Sequence, residues 1–176
     1  GATNLIRPSV GSWVTYGLGT ENQNLPGFLT LQPSGSKGGP RNHSNAFLPA
    51  VFQGTAIGKA GQPASEATLR NAVNTSLPRT EQERRFRLLQ KLNAAQLASR
   101  PQDDQLEAVA ESFELAWRMQ MNAPEVFDLA GEDEATKRLY GIGEKHTDDF
   151  GKQCLMARRM AEAGVRYIQV NYADES

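Results

Sequence analysis

The stretch from Thr147 to Tyr172 limits the fold more than any other. A helical run from Thr147 to Ala163 reaches a capping Gly164 and passes at once into Val165-Arg166-Tyr167-Ile168-Gln169-Val170-Asn171-Tyr172, a short apolar run of strand-forming residues. A helix handed directly to a strand is the repeating step of α/β proteins. The expected fold class is therefore α/β, a parallel sheet flanked by helices, helix-rich with few strands. Ligands in such folds gather at the carboxyl ends of the strands, and the sequence stops four residues after this one. It begins at Gly1 with no initiator methionine and no strand before Arg7. The expectation is the middle of a larger protein, with the groups that do the chemistry outside residues 1–176.

A chain of 176 residues has room for one domain, or part of one, burying about 70% of its unfolded surface. The 39% hydrophobic and 22% charged residues suit a soluble globular chain, and a net charge of -1 gives no electrostatic footprint for nucleic acid or anionic lipid. No run approaches ~18 apolar residues, so a membrane span is excluded. The lone Cys154 cannot form an internal disulfide and leaves the compartment open.

One change of character falls near Leu77-Pro78. Residues 1–77 hold most of the 16 Gly and 9 Pro and read as a loop-rich segment with a short helix and strands. The helix runs from Pro8-Ser9 to Tyr16, a strand from Phe28 to Leu31, a mobile loop from Gln32 to Asn45, and a second apolar piece from Leu48 to Ile57. Residues 78–164 read as a helical crossover and residues 165–172 as a sheet strand. Thr80 and Glu83 have the spacing of a capping box, opening a helix to about Ser99 with Phe86, Leu89, Leu92 and Gln96 on one face. From Asp103 the next helix places Leu106, Val109, Ala110, Phe113, Ala116, Trp117 and Met121 on one stripe, a core-packing face, and Asn122 and Pro124 end it. A short helix from Glu132 to Tyr140 closes at Gly141. The last helix is expected to bury Phe150, Cys154, Ala157 and Ala161.

Complete catalytic motifs are not found. Gly17-Leu18-Gly19 lacks the third glycine and the strand-to-helix setting of a dinucleotide fingerprint, and Ser34-Gly35-Ser36-Lys37-Gly38-Gly39 lacks P-loop spacing. Cys154 lies on an apolar helix face, which suits core packing and not a nucleophile. The two histidines are far apart. His146 precedes Asp148 and Asp149, where acidic groups favour a helix start through its dipole, so a cap is preferred to a metal site. Arg79, Arg84, Arg85 and Arg87 read as a solvated helix face paired with Glu81 and Glu83. Asn42-His43-Ser44 and Asn74-Thr75-Ser76 match the glycosylation sequon, a frequent coincidence.

Longer strings carry a resemblance. Arg7-Pro8-Ser9-Val10-Gly11-Ser12-Trp13 and Tyr16-Gly17-Leu18-Gly19-Thr20-Glu21-Asn22-Gln23-Asn24-Leu25-Pro26-Gly27-Phe28 are followed in order by Ala46-Phe47-Leu48-Pro49, Gln53-Gly54-Thr55, Ser112-Phe113-Glu114-Leu115-Ala116 and Phe150-Gly151-Lys152-Gln153-Cys154. Together they resemble a bacterial sulfatase-like family, domain of unknown function fifteen-oh-one, over nearly the whole chain.

The resemblance implies a partial alkaline-phosphatase-like fold and an exported or periplasmic hydrolase of sulfate or phosphate esters. In that superfamily divalent metals such as zinc or calcium activate a nucleophile and neutralise the transferred group. The family's metal-ligand motifs fall outside residues 1–176, so the resemblance assigns no catalytic or metal residue here, and this piece is expected to be inactive by itself. Arg7, Ser9, Asn22, Asn24 and His43 are the substrate-pocket candidates, the substrate being a small or polymeric ester. The alternative is a non-catalytic binding or surface-associated protein that keeps the fold.

Overall fold

A computed structural model describes residues 6–36, 38–66, 76–99 and 104–172. Helix α1, Val10–Leu18, leads to strand β1, Phe28–Leu31, and after two 3₁₀ turns, Gly39–His43 and Ala50–Phe52, to β2, Thr55–Ile57. A third 3₁₀ turn, Ala64–Glu66, precedes helices α2 (Arg79–Ser99), α3 (Asp104–Phe127), α4 (Glu134–Leu139) and α5 (Asp148–Glu162), and strand β3, Tyr167–Val170, follows. The strands form one parallel sheet in the order β2-β1-β3. Leu29 lies opposite Thr55 on one side and Ile168 on the other. The molecule is a helix-rich α/β protein with a small three-stranded parallel sheet flanked by helices, as expected.

Every residue of β1 is buried, as a central parallel strand covered on both faces requires. Alternation divides its side chains. Leu29 and Leu31, with Ile57, Ile168 and Val170, join Met156 and Met160 of α5 and Met119 and Leu115 of α3 in the hydrophobic core. Phe28 points the other way, toward α1. A Cβ on Gly11 or on Gly54 would come within 2.6 Å of the Phe28 ring. Two glycines thus let helix and loop close on one aromatic ring, and the same ring meets Tyr167 edge-on at 5.2 Å.

The helix-to-strand junction forms as its sequence predicts. Gly164 adopts φ 90°, and Val165 N–H donates to Met160 O at 3.0 Å, the left-handed exit that returns the chain onto the sheet. Ser9 caps α1, its hydroxyl accepting from the Ser12 amide.

Other expectations are corrected. Helix α2 begins at Arg79, so Thr80 lies inside its first turn and is not the cap. The loop expected over Gln32 to Asn45 includes the 3₁₀ turn Gly39–His43. Helix α3 runs on through Asn122 and Pro124. A proline removes one backbone bond, but Val126 and Phe127 beyond it pack against the core and favour another helical turn. In α5 the buried residues are Gly151, Gln153, Leu155, Met156 and Met160, whereas Phe150 is 39% exposed. Cys154 and Ala157 are half-buried and Ala161 is exposed.

The stripe on α3 is not the main core face. Phe113 is 50% exposed, and Trp117 stacks on Phe86 of α2 at 4.8 Å. Helix α2 buries no residue, leaving Leu89 and Leu92 of its expected inner face exposed. Leu29→Ala is therefore expected to cost ~2–5 kcal/mol and Trp117→Ala clearly less, measured by urea denaturation. Equal losses would mean that the α2–α3 pair is as deeply packed as the sheet.

Candidate functional site

In a parallel sheet the strand carboxyl ends form the natural ligand edge, because connections leaving neighbouring strands open a crevice there. Here that edge gathers amide and hydroxyl side chains. Gln32, the residue after β1, is 5% exposed and takes a left-handed conformation at φ 46°, a conformation that a non-glycine side chain holds only when its surroundings fix it. Three hydrogen bonds do so. Its backbone N–H donates to Ile57 O at 2.8 Å, its Nε2 donates to Gln62 O at 2.7 Å, and its Oε1 accepts from Gln153 Nε2 at 2.7 Å.

Gln153, 3% exposed on α5, gives a second Nε2 proton to Asp149 Oδ2 at 3.1 Å. The other Asp149 oxygen accepts from the Ala64 amide. Both Gln153 amide protons therefore meet acceptors. Reversing the amide would set its oxygen against those acceptors, so this orientation follows from the donor inventory. Its Oε1 is buried with no partner among the described residues.

A second group closes the β3 side. Asn171 Nδ2 donates to Thr30 Oγ1 at 2.9 Å and Leu31 O at 2.7 Å, and Asn171 Oδ1 accepts from Gln169 Nε2 at 2.8 Å. Beyond it Tyr172, 74% exposed, packs edge-on against Phe150 at 5.3 Å. Ser34, beyond Gln32, is buried, and its hydroxyl lies 3.3 Å from that of Ser36. The polar groups are largely engaged with one another. Their chemistry is positional: they fix how the chain leaves β1, β2 and β3.

The residues named from sequence lie elsewhere, with Ser9 and His43 brought together around Ser44. Arg7 is exposed ahead of α1. Ser9 and Ser12 share a hydroxyl contact at 2.9 Å, and both bond Ser44 O, Ser9 by its backbone amide and Ser12 by its hydroxyl. His43, next to Ser44, accepts the Gly54 amide at its carbonyl, just before β2. Asn22 closes a turn, its Oδ1 accepting from the Asn24 and Leu25 amides, and its Nδ2 donates to Ala163 O at the end of α5. That places Asn22 and the exposed Asn24 at the amino end of the sheet. Gln32, Gln153 and Asn171 escape sequence reading because a glutamine or asparagine carries no motif by itself. The usable signal is one of position, a polar side chain directly after a predicted strand.

Charge at the site is modest. Asp148 sits below the usual carboxylate range, chiefly through Lys152, which donates to it at 2.6 Å. It also accepts from the Gly143 amide, which accords with a helix-start role. Glu132 is lowered first by its hydrogen bond from Arg159 and also by Arg158, and Asp133 by capping the Thr136 amide. Burial lowers His43. Among the described residues no group of three or more His, Cys, Asp or Glu could hold a metal ion, and no helix is long and apolar enough to cross a membrane.

Fold and edge together define an α/β protein with a polar, pre-set carboxyl rim on a small parallel sheet. The chain belongs to the family described as "Protein of unknown function (DUF1501)", whose family model matches residues 1–174. No curated protein and no solved structure matches it.

The lowered His43 gives a sign-specific test. The native state holds fewer protons than the unfolded chain as pH falls below about 6.5, so stability is lost from there down through the lowered native value. Glu132, Asp133 and Asp148 add a second loss below about pH 4.5, the carboxylate range. Urea midpoints across pH are expected to fall in two steps, and His43→Gln to remove the upper one. Unchanged slopes in the variant would show that His43 does not titrate differently on folding.

Proposed function

We propose that this chain forms part of an exported, metal-dependent hydrolase of sulfate or phosphate esters, related to the alkaline phosphatase and sulfatase superfamily. The observation that carries this reading is the polar carboxyl rim built by Thr30, Gln32, Gln153 and Asn171 on a parallel sheet. Family membership and the ordered residue strings support it.

In this reading the chain supplies a rigid platform, and the longer protein supplies the metals and the nucleophile. The rim residues do not fit a divalent metal. Asp149 is the one carboxylate in the network, and its oxygens already accept from Ala64 and Gln153. The rest are amides and hydroxyls, poor ligands for zinc. The part played by this chain is then pre-organisation: an edge of amides and hydroxyls, its one carboxylate already held by Ala64 and Gln153, that keeps neighbouring backbone still.

Zinc titration by calorimetry, paired with turnover of nitrophenyl sulfate and nitrophenyl phosphate, tests the reading on two proteins. The 176-residue chain is expected to bind zinc weakly and to turn over neither ester. A protein extended at both ends is expected to bind zinc and hydrolyse one of them. Tight stoichiometric zinc binding by the shorter chain, lost in His146→Ala, would contradict the assignment of Asp148 as a helix-start group. An extended protein with neither property would favour a non-catalytic binding protein.

A further inference from the structure

Helix α1 turns an uncharged aromatic face outward. Trp13 is 47% exposed, Tyr16 53%, and Phe47, in the loop after Ser44, 67%. Trp13 meets Tyr16 edge-on at 5.8 Å and Phe47 at 5.9 Å, and Tyr16 meets Phe52 at 5.3 Å. Edge-to-face contacts thus hold the four rings as one patch. Residues 8–20 and 44–58, which build it, contain no Asp, Glu, Lys or Arg. With about 150–250 Å² for a whole aromatic side chain, the exposed parts of Trp13, Tyr16 and Phe47 amount to roughly 250–420 Å². Exposed Val10 and Leu18 widen the patch toward the ~600 Å² per partner at which specific interfaces begin.

A glycine in this face is not required by the fold itself. Val10, Trp13 and Gly17 recur at i, i+3 and i+7, the spacing of a single helix stripe. Gly17 does not take the left-handed backbone that calls for glycine, and a Cβ there would meet nothing within 4 Å. Gly11, on the buried side of the same helix, is by contrast pressed against Phe28. A helical glycine costs stability relative to alanine, so what Gly17 provides is close approach for a surface outside the chain. The charges lie at the two ends of the face. Arg7 precedes α1 and Glu21 follows it, both exposed, and Glu21 keeps 90% of its side chain in solvent even while it meets Arg166 at 3.3 Å.

The geometry points to a second copy of this chain as the occupant, with α1 packed antiparallel on α1 across a two-fold axis. An uncharged face can be laid on itself without opposing like charges. The antiparallel sense brings Arg7 of each copy toward Glu21 of the other and opposes the two helix dipoles, so the face is complementary to itself at its ends as well as at its centre. Gly17 lets the two backbones close, and the rings fill the flanks. A charged partner would find nothing to pair with across the middle of this face. A head-to-tail contact would leave the patch on the end copy uncovered, whereas the two-fold contact covers it on both copies and closes.

Sedimentation equilibrium of the full 176-residue chain across micromolar concentrations tests this. A monomer–dimer equilibrium is expected. Gly17→Gln puts a larger side chain into open space in the single copy but into the contact in the pair. It is expected to weaken association about tenfold or more while its melting temperature, taken below the association range, stays at or above that of the unsubstituted chain. Glu21→Arg is expected to weaken association about fivefold, and Arg7→Glu/Glu21→Arg to recover it. A chain that stays monomeric throughout overturns the inference, and its capture by neutral phosphatidylcholine vesicles would give the face to a lipid surface instead. Growth past the dimer overturns it in favour of a non-closing, head-to-tail contact. A dimer unaffected by Gly17→Gln, or an Arg7→Glu/Glu21→Arg variant that fails to recover, overturns the two-fold packing of α1.

Discussion

The side-chain amide of Gln153 is the contact on which the arrangement of the sheet edge depends. Through Gln32 it reaches the chain leaving β1, and through Asp149 it reaches the segment after β2. Gln62 and Ala64 complete the circuit, one accepting at its carbonyl and one donating its amide. Two parts of the chain, the exit from β1 and the segment after β2, are thereby tied to α5 by groups that would each be costly to bury unpaired. The left-handed backbone of Gln32 is tolerable only because this circuit holds it.

The core and the circuit act on different ends of the same elements. Met156 and Met160 fasten α5 to the sheet by burial, which is non-directional and leaves freedom to slide. Hydrogen bonds at the carboxyl rim and the Asn22 link at the other end set the position along the strands. Glu132 ties the turn before α4 to Arg158 and Arg159 of α5, and Arg159 also donates to Val126 O at the end of α3. The α2–α3 pair is held by a ring stack and the Gln90–Glu114 contact. Leu88, Leu89 and Leu92 of α2 stay exposed, whereas the sheet rim is built for positioning.

What was readable in the sequence follows the range of the interactions. The run from α5 through Gly164 to β3, strand β1 and helix α1 are local, written in glycine, capping serine and apolar spacing within a few residues. The α3 stripe was periodic and still misleading, because periodicity identifies an apolar face without saying what covers it; here a second, exposed helix covers part of it. Pro124 was overridden by the burial of Val126 and Phe127. The rim was not legible at all. Gln32 and Gln153 are 121 positions apart, and Thr30 meets Asn171 from a similar distance in the chain. Arg79 and Arg85 could be seen to be basic, but only the fold shows that Glu83 and Glu81 pair with them.

A double-mutant cycle on Gln32→Ala and Gln153→Ala, followed by urea denaturation, tests most directly whether the rim is one connected unit. If the two side chains act through their shared hydrogen bond, the single losses are non-additive, with a coupling of about 0.5–3 kcal/mol. Losses that simply add, leaving a coupling below about 0.3 kcal/mol, would contradict the account, because Gln153 would then stabilise α5 without fixing the carboxyl end of β1.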